Sequence, residues 1–151
     1  MAKFRYSLQS ILDIKMKMET QAKQEFATAK SVLDQEEGKL SELRRRKSVY
    51  ELEASRLRQG HLSVRELEDN QNAILAMEGF IREQLVQVKK AQHLVEDARE
   101  HLANVMKDRK MHETLREKAF EEFLREENRQ EGKAVDELTS YTYGQKRQVN
   151  G

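Results

Sequence analysis

The sequence predicts an all-α protein, a long two-helix antiparallel coiled-coil hairpin whose second helix overhangs the first. Three observations carry this. Apolar residues recur at alternating steps of three and four along two long arms. No proline interrupts either arm. Between the arms, Gly60 is followed by Ser63-Val64-Arg65-Glu66. Gly60 suits the left-handed position just past a helix end. The serine and glutamate match the S-x-x-E capping box that starts a helix. A stop followed at once by a start makes the arms antiparallel.

The reading is a single coiled coil over 1–151, with helices over about 4–58 and 64–138 around a turn at 59–63. In the first arm the seam is expected at Phe4, Leu8, Ile11, Lys15, Met18 and Ala22. It continues through Phe26, Ala29, Leu33, Glu36, Leu40, Leu43, Lys47, Tyr50, Ala54 and Leu57. The steps from Met18 to Ala22 and from Ala22 to Phe26 are both four, which resembles a stutter. In the second arm the alternation is unbroken from Leu67 through Asn70, Ile74, Met77, Ile81, Gln84, Val88, Ala91, Val95, Ala98 and Leu102 to Val105. The polar members Glu36, Lys47, Asn70 and Gln84 either snorkel to solvent or fix the register. Beyond Val105 the pattern weakens at Arg109, His112 and Arg116, then an apolar stripe resumes at Leu115, Ala119, Phe120, Phe123 and Leu124.

A first arm of about 55 residues spans about 80 Å and returns to roughly residue 120. The rest of the second arm, to Leu138, should project alone. Phe123, Leu124 and Leu138 would then lack a partner within the chain. Thr139 to Gly144 are poor helix formers, so a disordered tail is expected over 139–151.

Composition narrows function by exclusion. The chain has 151 residues, 36% charged and 6% aromatic, a net charge of +1 and no cysteine. The charges are interspersed, which gives no global field for nucleic acid or membrane. Without cysteine there is no disulfide framework and no thiolate chemistry. Asp13, Lys15 and Lys17 interrupt any signal-peptide core, and no run reaches the length of a membrane span. His61, His93, His101 and His112 form no metal-binding pattern, and no glycine-rich loop cradles phosphate. A two-helix hairpin also has no interior for a substrate pocket. The expectation is a non-enzyme without catalytic residues, metal or cofactor, working by contact with other proteins. The basic run Arg44-Arg45-Arg46-Lys47 leaves a nucleic-acid reading open beside that of a solvated helix face. An architectural coiled coil dimerising through Phe120, Phe123 and Leu124 is a further alternative.

Two terminal motifs sharpen the reading. The opening Phe4-Arg5-Tyr6-Ser7-Leu8-Gln9-Ser10-Ile11-Leu12-Asp13-Ile14-Lys15 resembles the start of the FliJ family of bacterial flagellar export proteins. Glu127-Asn128-Arg129, Lys133 and Asp136-Glu137 resemble the family's C-terminal E-N-R, K, D-E pattern. The resemblance implies a stalk in flagellum assembly and motility, linking the hexameric export ATPase to the cytoplasmic domain of the export gate membrane protein and escorting export chaperones. It implies a cytoplasmic protein, peripheral to the cell membrane at the flagellar base. By resemblance, Leu43, Tyr50, Met77 and Phe80 map to gate contacts. Glu127, Asn128, Arg129, Lys133, Asp136 and Glu137 map to the ATPase side. A stalk of a virulence type III secretion system remains the nearest alternative.

Overall fold

A computed structural model describes residues 2–61 and 63–149, with side chains to Gln145. The described residues form two helices, α1 (Gln9–Gln59) and α2 (Val64–Val149). They belong to two compact units. A central unit comprises Thr20–Asn104, and a terminal unit comprises Met1–Glu19 with Val105–Gly151. The helices are antiparallel in each. In the central unit Phe26 meets Arg99, Glu36 meets Gln84 and Tyr50 meets Asn70. In the terminal unit Phe4 meets Phe120, Gln9 meets Arg116 and Lys15 meets Asp108.

The turn is built differently from the expectation. No glycine among the described residues adopts a positive φ, so Gly60 is not a left-handed cap. Helix α1 ends instead with Arg56 and Arg58 in its last turn, where cations offset the partial negative charge of the free carbonyls. The serine half of the capping box does form. Glu66 N donates to Ser63 Oγ at 3.4 Å, and Leu67 N donates to the Ser63 carbonyl at 3.1 Å. A Cβ at Gly60 would meet only the Arg56 carbonyl oxygen, at 4.0 Å. Gly60→Ala is therefore expected to stabilise the chain by about 0.4–1 kcal/mol, read in urea unfolding. A loss of stability would restore the left-handed cap.

Helix α1 starts at Gln9 rather than near Phe4. The segment before it turns through bonds from Gln9 N to the Tyr6 carbonyl and from Ile11 N to the Leu8 carbonyl, both 3.1 Å. That turn accompanies a Phe4 ring seated on two aromatic rings of α2. The Phe4 centroid lies 5.1 Å from that of Phe120, edge-on, and 5.4 Å from that of Phe123. Phe123 thus has a partner within the chain, contrary to expectation, beside that of Phe120. Arg116 covers the same ring at 5.7 Å.

The far end also differs. Helix α2 continues past Leu138 to Val149, through the segment read as a disordered tail. The Thr139 and Thr142 hydroxyls donate to the Val135 and Leu138 carbonyls, one turn back, at 2.9 Å each. These residues satisfy their hydroxyls on the helix instead of competing with it. Asn150 and Gly151 lie outside the described residues.

The seam of α1 corrects the reading most. Leu8, Ile11 and Met18 are 42%, 39% and 39% exposed, whereas Leu12 is 4% and Glu19 8% exposed. Burial follows Leu12, Lys15, Glu19, Ala22 and Phe26. Glu19 to Ala22 is a step of three, so the alternation has no stutter. A carboxylate in the seam is tolerable only when paired. Here Arg109 supplies the partner: its Nε donates to Glu19 Oε2 and its Nη1 donates to Glu113 Oε2 at 2.6 Å. Lys15 Nζ meets Asp108 Oδ2 at 2.7 Å nearby. The weak stretch of the second arm is therefore a continuation of the seam through charged residues.

In the central unit the seam is conventional. Leu40, Ala54, Met77, Val88, Ala91 and Val95 are buried. Two polar members bond across it. Asn70 Nδ2 donates to the Tyr50 carbonyl at 2.9 Å. Gln84 Nε2 donates to the Glu36 carbonyl at 2.9 Å and to Glu36 Oε2 at 2.5 Å. That amide holds the Glu36 carboxyl below its ordinary value. A shift of register would part the Gln84 amide from the Glu36 carboxylate, so this pair favours the observed alignment.

Candidate functional site

The residues expected to contact a partner fall on both units. In the central unit, Leu43 is half-buried and Met77 buried. Both continue the apolar seam, so their first role is packing. Tyr50 stands at the rim, lining an open notch with Glu53, Arg56, Leu57, Glu66 and Asp69. Arg56 in that notch is committed to Glu53, through Nη2 to Oε1 at 2.5 Å and Nε to Oε2 at 3.1 Å. The bond holds the Glu53 carboxyl below its usual range. Phe80 is 49% exposed. Of this set, Phe80 and the Tyr50 edge are the parts that solvent reaches.

Two of the four residues of the basic run, Arg45 and Lys47, are paired with acids. Arg45 forks onto Glu42 at 2.6 and 3.0 Å. Lys47 lies between Glu51 at 3.6 Å and Glu78 at 3.5 Å. A phosphate backbone would have to displace these acids, which weakens the nucleic-acid reading.

In the terminal unit, α2 is exposed at every described position from Asn128 to Gln145. A helix advances about 100° per residue, which sorts the expected ATPase-side residues by face. Arg129, Lys133, Asp136 and Glu137 share one face with Glu126. Glu127, which is half-buried, and Asn128 lie off it. Arg129 forks onto Glu126, Nη2 to Oε1 at 2.8 Å and Nε to Oε2 at 3.2 Å. That hydrogen bond draws the Glu126 carboxyl down and raises the guanidinium. Val135 and Leu138 occupy the opposite face, and both are exposed. The stretch therefore offers a charged stripe backed by an apolar one, the arrangement of a helix that can be enclosed by a partner.

The sequence reading passed over the Glu19, Arg109 and Glu113 cluster. Its signal was spacing: Val105, Arg109, His112, Arg116 and Ala119 keep steps of four and three when residue type is ignored. No described helix is long and apolar enough to cross a membrane.

Comparison with known proteins adds a family. The model of a family described as the flagellar FliJ protein matches residues 4–148. The fold is similar to that of a solved chain described as the YscO homolog CT670 from Chlamydia trachomatis. The TM-score is 0.61 with 22% identity, covering 97% of this chain and 99% of the other. None of the curated proteins compared matches the chain.

Proposed function

Because this chain belongs to the flagellar FliJ protein family, we propose that it is a non-enzymatic stalk of the flagellar type III export apparatus. In this reading it links the hexameric export ATPase to the cytoplasmic domain of the export gate membrane protein, works at the cytoplasmic face of the membrane, and escorts export chaperones. Glu127, Asn128, Arg129, Lys133, Asp136 and Glu137 would meet the ATPase. Tyr50 and Phe80 would meet the gate, with Leu43 and Met77 shaping the surface beneath them.

One observation carries the ATPase side. The family's terminal motif sits on a stretch of α2 that no other part of the described chain covers. An uncovered helix is marginal in water, so its order is best explained by a partner that encloses it. The architectural alternative loses support, since Phe120 and Phe123 are already engaged by Phe4.

Pull-down with the purified cognate ATPase and with the gate domain tests the reading. The chain is expected to retain both, and Phe80→Ala is expected to weaken gate binding by about tenfold or more. Retention of neither protein would overturn it.

A further inference from the structure

The corrected seam leaves an apolar patch on the terminal unit that neither proposed contact uses. With Glu19 and Arg109 as seam positions a, Ile11 and Met18 on α1 and Leu115 on α2 are positions g. Ile14 and Met111 are the adjoining positions c. Two antiparallel helices are related by a two-fold axis perpendicular to both, so their g positions face the same side. The contacts of Gln9 with Arg116 and of Lys15 with Asp108 set the register. They bring Ile11 level with Leu115 and Ile14 level with Met111. All five side chains are exposed. They flank the shallow groove between the helices, which the Lys15–Asp108 pair crosses between Ile14 and Met18.

Charge says what covers the patch. On the outer edge of α2, Lys107, Lys118 and Arg125 follow the Met111–Leu115 row at helical spacing, with Glu122 the acid on that row beyond Lys118. Among the described residues, no acidic side chain bonds to either lysine. The α1 edge carries Ser7, Ser10 and Lys17 and no acid. We propose that this face docks an amphipathic helix of another protein, with aliphatic residues on one stripe and acidic residues along the edge that meets Lys107 and Lys118. A second copy of this chain would bring another basic edge. An anionic membrane would be met by few cations and by no Trp or Phe in the patch. The groove between two helices is instead the geometry that accepts a third. The inference does not depend on the identity of the ATPase or the gate.

The test uses the full chain and two labelled synthetic helices of about three heptads with leucines at a and d. One has glutamates along the flanks, the other lysines. Fluorescence anisotropy is expected to show the acid-edged helix binding at least about tenfold tighter than the lysine-edged one. Ile14→Glu with Met111→Glu should weaken that binding at least about tenfold, with the thermal melt unchanged because both residues face solvent. Lys107→Glu with Lys118→Glu should reverse the preference between the peptides, which a merely structural role would not do. The proposal is overturned by no binding, by equal binding of the two helices, or by indifference to the substitutions. It is equally overturned if sedimentation or phosphatidylserine vesicles show self-association or membrane binding that the Ile14→Glu/Met111→Glu variant loses.

Discussion

Arg109→Glu is expected to be the most damaging single substitution in the terminal unit. The guanidinium is 17% exposed and bonds Glu113 and Glu19, and those bonds raise its pKa. Glutamate in its place would set three carboxylates together, with Glu19 too enclosed to be solvated freely. Removing one member of such a cluster harms a fold more than the intact cluster helps it, because the remaining charge is stranded. The melting temperature is expected to fall by more than about 5 °C. Glu19→Arg in the same chain should recover much of the loss, since the pair is then rebuilt with its charges exchanged. A melt that matches the parent protein would mean that Glu19 and Arg109 do not face each other.

Leu12→Ala should be the next most costly change, at about 2–3 kcal/mol in urea unfolding. The leucine is 4% exposed, and the Gln9–Arg116 and Lys15–Asp108 contacts set it level with the charged stretch of α2. Met18→Ala is the control. The apolar pattern alone places Met18 in the seam, yet it is 39% exposed, and its truncation should cost less than about 0.5 kcal/mol. If Met18→Ala were the more costly of the two, the register with a stutter would be correct and the one described above would not.

These two residues show where the sequence is legible. A rule that seeks apolar residues every three and four works where the seam is apolar, as from Val88 to Val105. It fails between Leu8 and Glu19. There Leu8, Ile11 and Met18 mimic the stripe, while Glu19 is disqualified by a charge whose partner lies 90 positions away. A long-range ion pair leaves no local trace. Phe4 is legible in part: the seam and the arm length bring it near residue 120, but not the turn before Gln9 that accompanies its seat on Phe123 as well. The helical course past Leu138 was missed for the opposite reason. Thr139 and Thr142 have low intrinsic propensity, but back-bonding to the preceding turn absorbs their hydroxyls. At the far end, the spacing of Arg129, Lys133, Asp136 and Glu137 already implies one shared face. Spacing does not reveal that Arg129 is committed to Glu126, nor that nothing in the described chain covers them.

The uncovered stretch bears most directly on function. In the proposed stalk, activity should reside in α2 beyond Glu126, next to the Phe4, Phe120 and Phe123 contacts of the same unit. The decisive measurement is ATP hydrolysis by the cognate hexameric export ATPase, with the full chain and with a chain ending at Glu126. The account predicts that the full chain stimulates hydrolysis. It predicts that the shortened chain, which keeps Phe4 on Phe120 and Phe123 and should melt cooperatively, does not. Equal stimulation by both, or none by either, would contradict it.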